Sequence, residues 1–272
     1  MGLVIILGGL HSFLVSSDTT YNMTLMIWMM FWTVAGILSF VYKRFGYYIY
    51  QQKCSYSVSA VSLLGKLVIV SLKADDDIGI TFSPGQYGFF AIPKSPRDEH
   101  AFTIWKVEGN RIDIAVKVMA NFTKKLVMLN VGDKVVVRGP YGTFAEKMKS
   151  TKHAVWVAGG IGITPFKSML STIREDQDVR MFFCAHVMPD PVMTEEFVNA
   201  SLVLSNFKFK PCETGKTGRL GAKEILDDLA DIANTTIFLC GPREMMESLA
   251  EEIAKCGVRR SRIIYEDFGF MA

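Results

Sequence analysis

The sequence lacks clustered cysteines and clustered basic residues, and each absence excludes a class of function. Its five cysteines stand far apart, without a CxxC pair or the close spacing that zinc and iron–sulfur sites need. The net charge is only +3, and the basic residues are not interleaved with aromatics, so we expect no nucleic-acid surface. Isolated thiols in apolar runs are typical of a reducing compartment, which favours a cytoplasmic location for the main domain.

Charge is nearly absent from the first 42 residues, where Asp18 is the only formally charged side chain. Residues 23–42 form an uncharged apolar run of the length that a helix needs to cross about 30 Å of hydrocarbon. Basic residues follow at once at Lys43 and Arg44, so the positive-inside rule places the rest of the chain in the cytoplasm. A shorter apolar run at residues 3–15 predicts a second helix, and the two would form a transmembrane hairpin.

The remaining chain changes its hydrophobic period near residue 151. Before that point short alternating strands are separated by turns, with one helical piece at Thr123–Leu129, a pattern typical of an antiparallel barrel. After it, apolar strands alternate with helices down to the last strand, RIIYEDF, which predicts a doubly wound parallel sheet. The predicted fold class is α/β plus all-β, with the domain boundary in the polar stretch EKMKSTK. The predicted domains are a transmembrane hairpin at 1–45, a β-barrel at 50–147 and an α/β domain at 151–272.

A glycine-rich turn follows the first strand of the predicted α/β domain. Gly159, Gly160 and Gly162 come directly after the strand AVWVA, and Thr164 and Pro165 open the next helix. Glycines in such a turn let backbone amides approach a phosphate at the N-terminus of a helix. The same pattern also occurs in an ordinary tight turn, so its interpretation depends on the neighbouring strands.

A second turn repeats this arrangement later in the same domain. A buried strand ends at Cys240, and Gly241 and Pro242 lead into a helix that contains Met245. Ligands of open α/β sheets bind at the carboxyl ends of strands, so the two turns predict a nucleotide site with Cys240 at the reactive end. The alternative is that Cys240 is a small buried thiol in the core.

Several motifs in a fixed order carry a family resemblance. They are GQY at 85–87, HAFT at 100–103, GPYG at 139–142, GGIGITP at 159–165 and CGPREM at 240–245. Together they resemble the ferredoxin–NADP reductase superfamily, and the resemblance covers the chain from about Tyr56. HAFTIW and the ending YEDFGF resemble the ferric reductase and NADPH oxidase branch. The resemblance implies an FAD-binding barrel, an NAD(P)-binding domain and an NAD(P)H-dependent, FAD-containing oxidoreductase.

The resemblance also implies roles for individual residues of the barrel. Phe102 would flank the isoalloxazine ring, Thr103 would bond near flavin N5, and His100 would approach the FAD phosphates. Lys117 and Thr123 would hold the pyrophosphate through charge and helix-terminus donors. The alternatives are a core position for Phe102, an ordinary strand position for Thr103 and a solvated charge for Lys117.

The same resemblance assigns the C-terminus and the nucleotide. Phe268 would stack on the flavin and yield to nicotinamide, with Glu266 close by. His186 stands where an arginine for a 2′-phosphate is expected, and Arg219 or Lys216 would replace it. The nucleotide is therefore NADPH or NADH, with NADPH favoured.

His11 is a histidine within an apolar segment of the predicted hairpin. In the ferric reductase branch a membrane bundle with paired histidines binds haem b, so His11 is a candidate haem ligand shared with a haem-bearing membrane partner. The alternative is an interfacial histidine without a metal.

Three functions compete at this level. The preferred one is an electron-input module that takes hydride onto FAD and passes single electrons to a haem, a ferric chelate or oxygen. The second is a self-sufficient enzyme like cytochrome b5 reductase or ferredoxin reductase, in which the helix is a plain anchor. The third is an inactive truncated or regulatory subunit.

Overall fold

The computed structural model divides the chain into two compact units, with the boundary between Gln51 and Gln52. The described residues are 23–42, 52–64, 67–76, 79–92, 98–118, 121–188, 193–227, 229 and 231–266. Two predicted site residues, His11 and Phe268, lie outside the described residues, and so does the apolar run at residues 3–15.

The first unit contains helix α1 (Met23–Val41), which has 19 residues and no buried side chain within the unit. At about 1.5 Å per residue it is roughly 28 Å long, close to the hydrocarbon thickness of a bilayer. By length and composition α1 can cross a membrane. Its Thr33 hydroxyl donates to the carbonyl oxygen of Met29 at 2.8 Å, so this polar group is satisfied inside the helix.

Six antiparallel strands close into a barrel at the start of the second unit. They are β1 (Gln52–Leu64), β2 (Leu67–Ala74), β3 (Tyr87–Ala91), β4 (Glu99–Glu108), β5 (Arg111–Lys117) and β6 (Lys134–Tyr141), and helix α2 (Asn121–Val127) connects β5 to β6. Their order around the barrel is β1-β2-β5-β4-β3-β6, and pairing of Tyr56 in β1 with Val135 in β6 belongs to the closing ladder. Tyr56 is buried in the barrel core, where its hydroxyl accepts the N–H of Ile80 at 2.8 Å.

Five parallel strands form a sheet after the barrel, in the order β11-β10-β7-β8-β9. The strands are β7 (His153–Gly159), β8 (Asp178–Ala185), β9 (Phe207–Glu213), β10 (Thr235–Cys240) and β11 (Ile263–Tyr265). The helices are α3 (Phe144–Lys149), α4 (Thr164–Met169), α5 (Glu195–Val203), α6 (Thr214–Thr217), α7 (Ala222–Leu226) and α8 (Arg243–Lys255). Short 3₁₀ turns occupy Gly160–Ile163, Leu170–Thr172 and Arg260–Arg262.

Helices cover both faces of this sheet because its central strand is apolar on both sides. Trp156 packs with Phe166 of α4 in one cluster, whereas Val157 packs with Leu249 of α8 in the other. Successive strand residues point to opposite faces, so a continuous apolar strand such as β7 needs a helical layer on each side. The predicted barrel and the predicted doubly wound sheet are both confirmed.

The barrel packs directly against helix α4 of the sheet domain. The N–H of Gly85 donates to the Ser168 hydroxyl at 2.8 Å, and the Lys167 ammonium lies 4.5 Å from the centre of the Trp105 ring. Gly85 has φ of +84°, and a Cβ there would lie 2.5 Å from the sulfur of Met169. Both the backbone angle and the close approach therefore require glycine at this junction.

The structure corrects two boundaries. The predicted polar linker holds helix α3, because Phe144 and Met148 are four residues apart and bury one stripe of a helical turn. Helix α2 begins at Asn121 rather than at Thr123, because the buried pair is Phe122 and Leu126. The four-residue spacing of the buried apolar side chains determines both helices. The charged residues around them make this spacing hard to recognise in the sequence.

Candidate functional site

The sheet changes direction between its neighbouring strands β7 and β10. These strands are adjacent in space but far apart in sequence, and Ala158 pairs in register with Cys240 at their carboxyl ends. The crevice at such a switch point is the usual ligand site of open α/β sheets. A cavity of about 660 Å³ lies at this edge.

The cavity contains residues from both glycine turns, from helix α8 and from the edge of the barrel. Its lining includes six of the predicted cofactor-binding residues: Lys117, Gly159, Gly160, Arg219, Pro242 and Met245. Sequence reasoning missed Leu67 of β2 and the α8 residues Glu244, Ser248 and Glu252. The carboxylates of α8 have the spacing of a solvated helix face, so the sequence carries no signal that assigns them to a cavity.

Gly160 is open to this cavity. Its φ is +55°, and a Cβ built there would meet no atom within 4 Å. A side chain at this backbone angle costs about 1–2 kcal/mol, and it would also cover the exposed backbone of the turn. Gly160 therefore leaves the backbone accessible where a phosphate is predicted to bind.

Gly162 is a glycine for a different reason. A Cβ there would lie 2.2 Å from the carbonyl oxygen of Cys240, so the turn and strand β10 touch backbone to backbone. Gly241 likewise approaches Gly159, with a virtual Cβ 2.9 Å from its backbone atoms. Thr164 is buried beneath them and donates to the carbonyl oxygen of Ile161 at 3.1 Å. Contact of these residues with a nucleotide stays a prediction.

Glu266 connects the sheet domain to the barrel. Its Oε1 accepts the backbone N–H of Thr143 at 2.7 Å, just after the barrel motif that ends at Gly142. Gly142 has φ of +103°, and a Cβ there would lie 2.8 Å from the same oxygen. The other carboxylate oxygen, Oε2, is buried without a hydrogen-bond partner among the described residues.

Burial raises the pKa of Glu266 to about 7, although the backbone N–H groups of Thr143 and Phe144 act in the opposite direction. The Cys240 thiol is fully buried nearby; this burial and the charge of Glu266 raise its pKa above the ordinary value. Cys240 is therefore a neutral thiol on the barrel side of the sheet, in the cluster that contains Phe144. It does not line the 660 Å³ cavity.

Thr103 lies on the same side of the barrel as this carboxylate. It is buried at 8% exposure and pairs across the ladder with Tyr87, whose ring stacks on Tyr141 at 5.6 Å. A Cβ on Gly142 would lie 3.3 Å from the Tyr87 ring, so Thr103, Tyr87, Gly142 and Glu266 form one neighbourhood. Thr103 and Glu266, two predicted catalytic residues, are thus linked through Tyr87 and Gly142.

Phe102 does not share this face with Thr103. Its ring packs on the barrel core, 5.7 Å from Phe90 and 6.1 Å from Phe122. His100 stacks on Phe122 at 4.1 Å, and its Nε2 lies 2.8 Å from Asp98. Strand alternation thus groups the predicted residues His100 and Phe102 around Phe122, a residue that sequence reasoning missed although it precedes Thr123.

The predicted pyrophosphate residues lie on different elements. Lys117 ends β5 opposite Leu67 and lines the cavity of the sheet domain, whereas Thr123 lies in the third position of α2. Arg219 lines the same cavity as Lys117. Lys216 pairs instead with Glu213 at 2.9 Å and does not line the cavity.

Comparisons with known proteins agree with this architecture. Residues 156–251 match the oxidoreductase NAD-binding domain family. The chain is 26% identical over 222 residues to the reductase component of propane 2-monooxygenase from Rhodococcus jostii (strain RHA1), covering 74% of this chain and 60% of that protein. The chain thus spans less than two thirds of the length of this relative.

Two solved structures show the same fold at low identity. Flavohemoglobin from Malassezia yamatoensis, with bound FAD and haem, superposes with a TM-score of 0.71 at 20% identity, covering 90% of this chain and 68% of that chain. A ferredoxin NADP⁺ reductase from Neisseria gonorrhoeae, with bound FAD and NADP, gives 0.64 at 18% identity, covering 79% and 98%.

The barrel, the parallel sheet and the cavity at its switch point define a two-domain fold of the kind that binds a flavin and a nicotinamide nucleotide. With the NAD-binding match and the reductase relative, they make the chain similar to the ferredoxin reductase-like FAD/NAD-binding superfamily. The predicted resemblance to this superfamily is confirmed, and the ferric reductase branch within it stays a prediction.

Proposed function

We propose that this chain is a membrane-anchored NAD(P)H:acceptor oxidoreductase that uses FAD to pass electrons to a haem, a ferric chelate or oxygen. The observation that carries the proposal is the junction at Glu266, where the end of the sheet meets the barrel beside Thr103 and Cys240. A hydride donor and its acceptor must come within contact distance, and this junction is where the two domains would bring them together.

The donor groups of the site fit both cofactors. Within the described part of the chain, the Thr103 hydroxyl makes no hydrogen bond and the buried Glu266 Oε2 has no partner, so both groups are available to a bound cofactor. Thr103 would hold FAD at the barrel face, together with His100 and Thr123 if the resemblance applies. FAD supplies the exchange between a two-electron donor and one-electron acceptors.

The cavity fits a dinucleotide. Gly160 leaves the turn backbone open, and the cations Lys117 and Arg219 lie in the lining, where they would neutralise phosphate charge. Arg219 is a second cation in the lining besides Lys117, and it would bind the 2′-phosphate in place of the arginine expected at His186. It therefore supports NADPH over NADH.

Glu266 would bind and release a proton at this junction, a role that we call the proton-store role. With a pKa of about 7 it carries a proton on a substantial fraction of molecules at neutral pH, and that proton belongs on Oε2 because Oε1 accepts the Thr143 N–H. The neighbouring Cys240 thiol stays neutral, so it would add no charge where the nicotinamide ring is proposed to bind.

The proposed electron acceptor and the proposed membrane location are supported by different observations. The relative described above is a reductase component of an oxygenase, and the flavohemoglobin structure pairs the same fold with haem. These names support delivery of electrons to a separate oxygenase or haem centre. Helix α1 supports a membrane location with the reductase domain on the cytoplasmic side, and a haem b shared through His11 with a membrane partner belongs to the same proposal.

An anaerobic absorption spectrum of the detergent-purified full chain, before and after NADPH or NADH, tests this function. We expect a flavin band that bleaches on addition, faster with NADPH. A Soret band that shifts would support the shared haem. Full turnover with soluble acceptors and no haem partner would favour the self-sufficient reductase instead, and no flavin band after added FAD would leave the inactive-subunit alternative.

Thr103→Val tests the flavin contact with a matched control. Loss of one hydrogen bond to the reacting cofactor should slow flavin reduction by NADPH about tenfold, with little change in folding. Thr236→Val is the control, because Thr236 is equally buried at 8% but lies at the start of β10, away from the junction. Equal rates for the two variants in stopped-flow measurements would remove Thr103 from the mechanism.

A further inference from the structure

Two cysteines stand side by side near the carboxyl ends of β8 and β9. Cys184 and Cys212 are direct partners in the register of these parallel strands, and both side chains belong to the same buried cluster. Neighbouring strands lie about 4.8 Å apart, which is within the roughly 4.4–6.8 Å between Cα atoms that a disulfide spans. The spacing of the two strands therefore falls within the Cα range of a disulfide.

The two thiols also differ chemically. They share a hydrogen bond, which raises the pKa of Cys184 and lowers that of Cys212; burial raises the pKa of both. Lys210 lowers the pKa of Cys212 further, and Glu224, which pairs with Lys210 at 3.2 Å, opposes this. Cys212 is thus the more acidic thiol of the pair, and in its neutral form its Sγ–H donates to the carbonyl oxygen of Lys210 at 3.7 Å.

The cavity reaches one member of this pair. Cys184 lines the 660 Å³ cavity, whereas Cys212 and Cys240 do not. The two strands continue directly into the cavity rim, where Thr214 donates to the carbonyl oxygen of Ala185 at 3.2 Å and Gly215 donates to that of His186 at 3.0 Å. A change at the cysteines therefore acts on the residues that line the nucleotide site.

We propose that Cys184 and Cys212 form an oxidative modification site, which a hydroperoxide closes to a disulfide in the wall of the nucleotide cavity. One of the two cysteines attacks the peroxide as its thiolate, giving a sulfenic acid and releasing hydroxide or alkoxide. The sulfur of the other cysteine then displaces hydroxide from the oxidised sulfur, and its proton leaves with that hydroxide as water. The two thiols are oxidised by two electrons and the peroxide is reduced by two.

Closure would weaken nucleotide binding, a consequence that rests on the proposed function. The new bond shortens the sulfur separation and pulls β8 toward β9 beneath Ala185 and Thr214. A dithiol would reverse the modification by thiol–disulfide exchange.

Peptide mapping tests the bond without reference to catalysis. The detergent-purified full chain is treated with graded hydrogen peroxide, the remaining thiols are blocked with N-ethylmaleimide, and the protein is digested with trypsin. We expect residues 181–208 and 209–216 to appear as one linked species, two hydrogens lighter than the separate peptides, and to separate after dithiothreitol. Absence of this species, with both cysteines alkylated or overoxidised, overturns the proposal.

Titration with NADP⁺ tests the consequence. Oxidation should weaken binding about tenfold, dithiothreitol should restore it, and Cys184→Ala and Cys212→Ala should each abolish the effect. Cys256→Ala is the matched control, because Cys256 is exposed at the end of α8 and should leave the effect intact. Linked peptides with unchanged affinity overturn the regulatory role. Failure of the reduced protein to bind NADP⁺ overturns that role together with the proposed function, while the linked peptides still establish the modification.

Discussion

Burial and hydrogen bonding change the pKa of Glu266 in opposite directions. Its carboxyl group is mostly buried, one oxygen accepts the N–H of Thr143, and the other has no partner within the described part of the chain. Removal from water disfavours the charged form more than the two backbone N–H groups favour it, which is why its pKa rises to about 7. A carboxyl group that titrates near neutral pH is suited to proton transfer.

Glu266→Gln tests this through stability. The folded-state pKa lies above the ordinary value of 4.5, so between these values the folded state binds more protons, and stability falls as pH rises through this window. Glutamine removes the titration but keeps an acceptor for Thr143. The free energy of unfolding of the variant relative to wild type should therefore increase by about 1–3 kcal/mol between pH 5 and pH 8.

Urea denaturation at several pH values measures this difference, and Glu247→Gln provides the control. Glu247 is exposed on α8 and pairs with Arg243, so its replacement should shift stability little and without this pH trend. If the Glu266→Gln and wild-type profiles run parallel from pH 5 to pH 8, the carboxyl group ionises normally and the proton-store role is wrong.

At the scale of elements, the glycine turn positions helix α4 on strand β10. The turn Gly160–Ile163 passes so close to the end of β10 that no side chain fits between Gly162 and the Cys240 carbonyl. This contact sets the depth at which the turn sits in the crevice. The turn that is predicted to bind phosphate is thus held by backbone packing rather than by side chains.

Gly162→Ala should therefore destabilise the sheet domain. A methyl group 2.2 Å from a carbonyl oxygen forces the turn away from β10, and overpacking of this kind costs about 1–3 kcal/mol. Gly221→Ala is the control, because its virtual Cβ meets only Glu252 at 3.9 Å and its φ of −104° suits alanine. Thermal unfolding of both variants measures the difference, and equal midpoints would show that the turn adjusts freely.

The elements themselves could be predicted from the sequence, whereas their contacts could not. Alternating polar and apolar residues predicted the barrel strands, and continuous apolar runs predicted the sheet strands. Both patterns are local in the sequence because they reflect burial on one or on both faces of a strand. The orientation of Phe102 away from Thr103 follows from strand alternation, and the family motif alone did not separate them. The contact of Glu266 with Thr143 joins positions 123 residues apart, so no local pattern reports it. Helix α3 was missed because charged residues surround its short buried stripe.

The two domains of the second unit share one continuous buried core. One buried cluster includes Leu67 and Trp105 from the barrel together with Trp156 and Phe238 from the sheet. A shared core of this kind resists hinge motion between the domains, since opening it would expose aromatic surface to water. The junction at Glu266 is accordingly fixed, and the proposed electron transfer across it would not depend on domain closure.

The membrane proposal concerns the whole molecule and rests on α1. Arginine near the centre of a spanning helix costs about 2.5–3.5 kcal/mol per residue by insertion scales, so Met30→Arg with Val34→Arg should release the chain from the membrane. Met30→Leu with Val34→Leu is the control and keeps the helix apolar.

Flotation of cell lysates on a density gradient measures the outcome, because membrane-inserted protein rises with lipid while aggregates sink. The wild type and the leucine variant should float, and the arginine variant should stay at the bottom or in the soluble fraction with its flavin band retained. If the arginine variant floats as well, α1 is not the anchor, and another part of the chain or a partner holds the reductase at the membrane.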